Sequence, residues 1–326
     1  MKHLINRLGF ISFLFFGSVL LSAGVTSAKS LNKVRIGVPY IPNVQFTPLY
    51  VAQKKGFYAA EGLEVKIEYG FEHDFVALAA QGQREFAVAS GDQVIMARSN
   101  GLPITFVLQW YKRYPVALMF PDSRKIRTLD ELAGKTIGLP GFFGSSYVGW
   151  KALVFAAGID EKAVKVKEIG FTQAAAVQQG LVDGAVVYIA NEPIQLRNAG
   201  IPVQVIEVSN YINLVSNGVV VGEKLMRTQP ELVRAMVQAT QKAIIYTINN
   251  PDEAFKITRG IIPEITDEKA PVQKQVLMVS IELWKGKNIG RTSRKAWQDS
   301  VNFMKETGLI NKSISVNKLF SNQFVK

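Results

Sequence analysis

The chain has 326 residues, 48% of them hydrophobic and 20% charged, which is the composition of a compact globular protein and excludes an intrinsically disordered one. Its formal net charge is +12, but acidic residues are interspersed with the basic ones and no arginine-rich run occurs, so we expect no nucleic-acid partner. The sequence contains no cysteine, which excludes disulfides and the lipid-modified cysteine of a lipoprotein.

The first 28 residues have the pattern of an export signal. Lys2 and Arg7 form a basic start, an apolar run covers residues 8–21, and small residues at 26–28 resemble a cleavage site. The apolar run is shorter than the ~20 residues that a membrane-spanning helix needs. We therefore expect a signal peptide at 1–28 and a mature periplasmic protein without stable membrane insertion; an uncleaved anchor is the alternative.

The first part of the mature chain alternates between strand and helix patterns. Thr47-Pro48 combines a helix cap with a proline in the first turn, and glycines end several of the helices. The predicted strands are 33–40, 63–69, 85–90 and 105–110, and the predicted helices are 48–56, 74–81 and 92–100.

The same alternation begins again after residue 128. Strands are predicted at 135–139, 164–169, 184–189 and 203–208, and helices at 145–157, 172–179 and 191–199. Beyond Glu223 the pattern is mostly helical. Strands that alternate with helices of this length indicate an α/β fold, in which mainly parallel sheets are covered by helices on both faces.

Two β-rich segments, 114–121 and 214–222, lie where one unit gives way to the other. If the chain leaves the first lobe at one segment and returns at the other, lobe 1 comprises 29–121 plus 215–326. Lobe 2 is then an insertion of residues 122–214. A single large α/β domain is the alternative, which periodicity does not exclude.

The side chains of common catalytic and metal sites are scarce. His73 is the one histidine after the export signal, and without cysteine the chain offers neither a zinc cluster nor a Ser-His-Asp or Cys-His arrangement. We therefore expect no enzyme, no cofactor and no metal. His73 is interpreted as a solvated loop residue, with a lone acid–base role as the alternative.

Polar and aromatic residues follow the predicted strands, where ligands bind in open parallel sheets. Aromatic rings suit stacking, whereas amides, hydroxyls and carboxylates suit ring heteroatoms, so these loops predict a site for a flat, partly polar molecule. The candidate ligand-binding residues are Asn43, Gln45, Phe46, Ser90, Asp92, Trp110, Tyr111, Ser145, Ser146, Tyr147, Tyr188, Asn191, Glu192 and Asn217.

A purely structural role is the alternative for many of these residues. Ser90, Asp92, Ser145 and Asn191 have the residue types of helix caps, and that alone would explain them. Phe46 and Trp110 would equally fit a hydrophobic core, and Glu192 would fit the first turn of a helix as an acid that interacts with the helix dipole. The functional interpretation therefore depends on several loops meeting at one edge of the sheets.

Several segments resemble one known family. Residues 54–65 (KKGFYAAEGLEV), 91–104 (GDQVIMARSNGLPI) and 129–141 (LDELAGKTIGLPG) resemble the thiamine-pyrimidine-synthase-like branch of periplasmic solute-binding proteins, and the resemblance covers nearly the whole mature chain. This branch includes sulfonate, pyrimidine and riboflavin binders. Residues 40–50 (YIPNVQFTPLY), 138–150, 186–196 and 214–219 (LVSNGV) are more similar to its riboflavin-binding subgroup.

The resemblance implies a type II two-lobe fold that closes over a small heteroaromatic ligand, with an ABC transporter permease as partner. Riboflavin or a flavin-like heterocycle is the implied ligand, and a pyrimidine precursor of thiamine is the alternative. Enzymes of the same branch use histidine and a cysteine-rich segment, so the lack of cysteine weakens the remaining alternative, an exported pyrimidine-synthase-like enzyme. We expect a monomer.

Overall fold

A computed structural model describes residues 31–326, and the predicted signal peptide at 1–28 lies outside the described residues. The described chain forms two five-stranded sheets flanked by helices. Its strands are β1 (Asn32–Pro39), β2 (Leu63–Gly70), β3 (Phe86–Ala89), β4 (Ile104–Gln109), β5 (Val116–Pro121), β6 (Thr136–Leu139), β7 (Lys165–Glu168), β8 (Gly184–Tyr188), β9 (Val203–Glu207) and β10 (Gly218–Gly222).

The helices include every one predicted from the sequence, with ends that agree within two residues. They are α1 (Thr47–Lys54), α2 (Phe57–Ala60), α3 (Glu72–Ala80), α4 (Gly91–Ser99), α5 (Gly144–Ala157), α6 (Gln173–Gln178), α7 (Glu192–Asn198), α8 (Glu223–Thr228), α9 (Pro230–Asn249), α10 (Pro251–Arg259), α11 (Ala270–Trp284) and α12 (Arg294–Glu306). The helical character expected after Glu223 is confirmed by α8 to α12. Among residues 31–326, no helix is long and apolar enough to cross a membrane.

Each sheet contains four strands in one direction and one reversed strand. The first sheet has the order β2-β1-β3-β10-β4, and the second has the order β7-β6-β8-β5-β9. The reversed strands are β10, antiparallel to β3 and β4, and β5, antiparallel to β8 and β9. The predicted α/β fold with mainly parallel sheets is therefore confirmed.

The pairing register places the start of each reversed strand at the carboxyl ends of its neighbours. Val116 of β5 lies opposite Tyr188, the last residue of β8. Gly218 of β10 lies opposite Ala89 and Gln109, the last residues of β3 and β4. Because only residues 110–115 separate β4 from β5, the carboxyl ends of the two sheets are held close together.

This register also corrects one predicted boundary. Val116–Pro121 was placed at the end of lobe 1, but β5 pairs with β8 and β9 in the second sheet. The crossing therefore occurs before Val116, in the segment between β4 and β5. The error arose because a buried strand, apolar on both faces, has the same sequence pattern in either sheet.

The C-terminal helices complete the core of the first sheet. Met236 of α9 and Leu277 of α11 are fully buried in one cluster with Ile36 of β1 and Val219 of β10. Burial of such side chains stabilises the fold by roughly 1.5–3 kcal/mol each. The first sheet thus depends on segments from both ends of the described residues, 31–326.

We expect Gly218→Ala to destabilise the protein, because a Cβ at Gly218 would lie 2.1 Å from the Leu108 carbonyl oxygen and 2.1 Å from Phe106 Cζ. Overpacking of this kind lowers the free energy of unfolding by about 1–3 kcal/mol, a difference that urea unfolding would measure. Gly260→Ala is the control, since its nearest neighbour would be the Ile257 oxygen at 3.4 Å. Equal unfolding midpoints for the two variants would contradict the assigned register of β10.

Candidate functional site

The two sheets meet through a hydrogen-bonded group at the carboxyl ends of their strands. Asp92 follows β3 in the first sheet, and Ser145 follows β6 in the second. The Ser145 hydroxyl donates to Asp92 Oδ1 at 3.2 Å, and the Tyr114 hydroxyl lies 3.4 Å from the same oxygen. Tyr114 also donates to the Ser145 carbonyl at 3.1 Å. These contacts place predicted site residues of both sheets around one cleft.

A second carboxylate, that of Glu72, lies beside this group. Glu72 is the first residue of α3 and is partly buried. Its Oε1 accepts hydrogen bonds from the Ser90 backbone N–H at 2.6 Å and from the Ser90 hydroxyl at 2.8 Å. We call Glu72, Ser90, Asp92, Tyr114 and Ser145 the carboxylate cluster. The Ser90 side chain makes no cap bond to α4, so helix capping does not explain this serine.

Burial gives the carboxylate cluster unusual proton affinities. Burial, and after it the neighbouring Asp92, raise the pKa of Glu72 to about 7, although the hydrogen bonds from Ser90 act in the opposite direction. Burial also raises the pKa of Asp92. The pKa of Tyr114 is raised well above its ordinary value by burial and by Asp92, so this hydroxyl stays a neutral donor. Near neutral pH the Glu72 carboxyl is therefore partly protonated, and the Tyr114 hydroxyl beside it is neutral.

The loop after β8 uses most of its polar atoms on itself. Glu192 is buried, and its carboxylate accepts from the Tyr188 N–H and from Asn191 Nδ2, both at 3.0 Å. Burial raises the pKa of Glu192 to about 6. Tyr188 is partly buried, and the pKa of its hydroxyl is raised by burial and then by the charges of Glu72 and Asp92. Glu192 thus shapes the loop that carries Tyr188.

Trp110 and Tyr111 are buried in an aromatic group behind the cleft. Trp110 is 1% exposed, and its ring centroid lies 6.4 Å from that of Phe46 and 6.1 Å from that of Trp284. Tyr111 packs edge-on against Trp284 at 5.9 Å. Within residues 31–326, the Trp110 Nε1–H finds no hydrogen-bond partner. A ligand could stack on Trp110 only after these neighbouring rings move.

Other predicted residues have visible local roles, and their ligand contacts stay a prediction. Asn43 accepts from the Gln45 N–H at 2.9 Å and so shapes the turn after β1. The Asn217 carbonyl accepts from the backbone N–H groups of Trp110 and Tyr111 at 2.9 and 3.1 Å, which joins the two crossings. Ser146 is buried at the start of α5 and Tyr147 packs against Phe142 at 6.0 Å.

Sequence reasoning missed Glu72, Tyr114 and several exposed aromatic side chains. Glu72 lies three residues beyond the strand predicted at 63–69, and a polar residue shortly after a strand is the same signal that indicated the other loops. His73 itself is mostly exposed, and its Nε2 lies 3.3 Å from Asp74 Oδ1. The exposed aromatic residues at strand ends are Tyr40, Phe71, Phe142, Phe143 and Phe171.

Each of the two sheets contains one reversed strand, β5 or β10, that follows a crossing from the other sheet. The carboxyl ends of the remaining strands lie on the side where the two sheets meet. This arrangement defines the type II periplasmic binding protein fold. The aliphatic sulphonate binding protein SsuA of Escherichia coli shares it with a TM-score of 0.73 at 14% identity, covering 91% of this chain and 94% of that one. The chain belongs to the NMT1/THI5 like family, whose sequence profile matches residues 43–254.

Relatives with named activities match most of the chain. The riboflavin-binding protein RibY of Chloroflexus aurantiacus is 40% identical, over 91% of this chain and 87% of that protein. A formylaminopyrimidine-binding protein of Halalkalibacterium halodurans is 26% identical, over 90% and 91%. A 4-amino-5-hydroxymethyl-2-methylpyrimidine phosphate synthase of Legionella pneumophila is 23% identical, over 92% and 94%. Binding proteins and enzymes thus occur among the relatives.

The raised pKa of Glu72 predicts that stability falls as the pH rises from about 4.5, the ordinary pKa of a glutamate, to about 7. In this window the folded state binds more protons than the unfolded state, so unfolding becomes easier with each unit of pH. Glu72→Gln keeps the neutral form, and we expect it to be more stable than the wild type at pH 8, by on the order of 1–3 kcal/mol, and equally stable at pH 4.5.

Urea unfolding at several pH values measures this difference. Asp74→Asn is the matched control, because Asp74 is exposed on the same helix and its substitution leaves Glu72 in place. The control should retain the pH dependence of the wild type. If Glu72→Gln retains it as well, another group causes the dependence and Glu72 ionises as an ordinary surface carboxylate.

Proposed function

We propose that this chain is the substrate-binding component of an ABC importer and that it binds riboflavin or a related flavin-like heterocycle in the cleft between the two sheets. The observation that carries the proposal is the 40% identity to a riboflavin-binding protein across 91% of the chain. The aligned region covers segments on both sides of the cleft.

The chemistry of the cleft supports a flat heterocycle with polar edges. Such a ring carries N–H donors and carbonyl acceptors in its plane, and its faces are apolar. Asp92 and Glu72 offer acceptors for the donors, and the hydroxyls of Tyr114 and Ser145, which donate within the carboxylate cluster here, would turn to the acceptors of the ligand when the lobes open. A hydrogen bond to a charged group contributes about 1.5–3 kcal/mol, so the edge contacts would give most of the discrimination.

Lobe closure is the proposed mechanism of binding. The division into lobe 1 and lobe 2 places Asp92 on one side of the cleft and Ser145 on the other, and these two residues are hydrogen-bonded here. A ligand bound between them would contact both lobes only in the closed form, and it would therefore shift the population towards that form. The crossings between β4 and β5 and between β9 and β10 are the proposed hinges.

The cellular setting is proposed on the same grounds. Residues 1–28 have the pattern of an export signal, and the matched fold is that of periplasmic binding proteins. A periplasmic monomer that delivers its ligand to an ABC permease fits both observations. A binding role rather than catalysis is also supported by the exposure of the His73 side chain, which contacts the exposed Asp74.

A pyrimidine precursor of thiamine is the second candidate ligand. The relative that is named as a formylaminopyrimidine-binding protein favours it, at 26% identity over 90% of the chain. An aminopyrimidine is smaller than a flavin but presents similar edge donors, so the same carboxylates would recognise it.

Calorimetric titration with riboflavin and with formylaminopyrimidine decides between the two ligands. We expect riboflavin to bind the wild-type protein more tightly, and Asp92→Asn to weaken binding by about tenfold or more, because the amide replaces a charged acceptor with a donor at one position. Asp74→Asn, which changes an exposed carboxylate outside the cleft, should bind as the wild type does. Protein that binds only the pyrimidine would overturn the riboflavin proposal.

Closure is tested separately by small-angle X-ray scattering with and without saturating riboflavin. We expect the radius of gyration to be smaller with ligand, because the two lobes approach each other around it. An unchanged radius in a protein that calorimetry shows to be saturated would argue against closure as the binding mechanism.

A further inference from the structure

Tyr40, directly after β1, has a backbone conformation that is unusual for its residue type. Its φ is +73°, in the left-handed region that aromatic residues rarely adopt. Its N–H donates to the Gly70 carbonyl at 2.9 Å, which ties this turn to the end of β2. Strained backbone of this kind persists where the position of a side chain matters, and it is concentrated at ligand-contacting sites.

The Tyr40 side chain contacts the other sheet. Its ring centroid lies 5.5 Å from that of Phe171, with an angle of 43° between the ring planes. Phe171 lies just beyond the carboxyl end of β7, an edge strand of the second sheet, whereas Tyr40 follows β1 of the first. Both crossing strands lie towards the opposite edge of their sheets, so this contact is at the open mouth of the cleft.

Both rings remain accessible despite the contact. Tyr40 is 48% exposed and Phe171 is 61% exposed. Phe71, Phe142 and Phe143 are also exposed and follow the ends of β2 and β6, so five aromatic rings from four strand ends surround the mouth. Clustered exposed apolar side chains mark interaction sites in proteins of this kind.

We infer that Tyr40 and Phe171 form an aromatic clasp that stacks on the ring system of the bound heterocycle and holds the mouth of the cleft shut. This inference rests on the proposed function and assigns ring stacking to exposed residues of both sheets instead of the buried Trp110. A ring between two others needs about 7 Å between their centroids, twice the carbon contact distance. The two rings are 5.5 Å apart between centroids, which is too close for a third ring between them, so the clasp must open to admit the ligand.

Variants that remove the rings without disturbing the fold test the clasp. Tyr40→Gly removes the ring and relieves the left-handed backbone, and Phe171→Ser removes the opposite ring. We expect each to weaken riboflavin binding by about three- to tenfold, the range that aromatic stacking provides. Lys125→Gly relieves the same backbone conformation, φ +55°, away from the clasp, and Leu181→Ser removes an exposed apolar side chain before β8. Both controls should bind as the wild type does.

Flavin fluorescence supplies a readout that a merely structural role would not move. A phenol ring stacked on a flavin quenches its emission by electron donation, whereas a phenyl ring does not. We therefore expect Tyr40→Phe to bind riboflavin within about twofold of the wild type, with brighter emission from the bound ligand. Unchanged emission together with unchanged affinity in Tyr40→Gly would overturn the clasp.

The same titrations separate failure of the clasp from failure of the proposed function. If the wild type binds riboflavin and the ring variants bind it equally well, the clasp is wrong and the proposed function stands. If the ring variants bind riboflavin as the wild type does but impair transport in cells, the exposed aromatic residues at the mouth would instead serve permease docking. That result would also overturn the clasp. If the wild type binds neither riboflavin nor formylaminopyrimidine, both proposals fall together.

Discussion

The reversed strands β5 and β10 determine the arrangement of everything at the cleft. Each begins at the carboxyl ends of its neighbours, as the pairing of Val116 with Tyr188 and of Gly218 with Ala89 demonstrates. A chain that leaves one sheet at its carboxyl edge and joins the other at the corresponding edge brings the two edges together. Loops that are far apart in sequence, such as those containing Asp92 and Ser145, are then within hydrogen-bonding distance. The site is therefore a consequence of strand direction more than of any local motif.

The carboxylate cluster opposes folding in one respect, because burial of an ionised carboxylate is costly unless it is compensated. Part of the compensation is visible in the hydrogen bonds that Ser90 donates to Glu72 and in those that Tyr114 and Ser145 offer to Asp92. The remaining cost appears as the raised pKa of Glu72. Acceptors that are already desolvated and oriented lose little on ligand binding, so the cluster exchanges some stability for recognition.

Much of the fold followed from the sequence because strand and helix periodicity, helix caps and terminal glycines all pointed to the same elements. The sequence also predicted that the loops containing Ser90, Asp92 and Ser145 meet, since carboxyl ends of parallel strands share one edge, and their role in ligand binding stays a prediction. The burial of Trp110 could not be predicted, because a tryptophan in the core and a tryptophan that stacks on a ligand have the same local sequence pattern. Tyr40 and Phe171 were missed for a different reason: a left-handed backbone and a contact between two sheets leave no periodic signal in the sequence.

The cleft separates two kinds of interaction along its depth. Near the crossings, the carboxylate cluster offers directional hydrogen bonds that a ligand with misplaced donors would leave unsatisfied, and unsatisfied buried groups are strongly penalised. At the mouth, Tyr40 and Phe171 offer ring faces that tolerate many flat molecules. Relatives that share the fold but bind different heterocycles would then differ mainly in the deep polar residues, while the rim contributes affinity to each. Closure links the two regions, because the lobes that bring Ser145 to Asp92 also bring Phe171 to Tyr40.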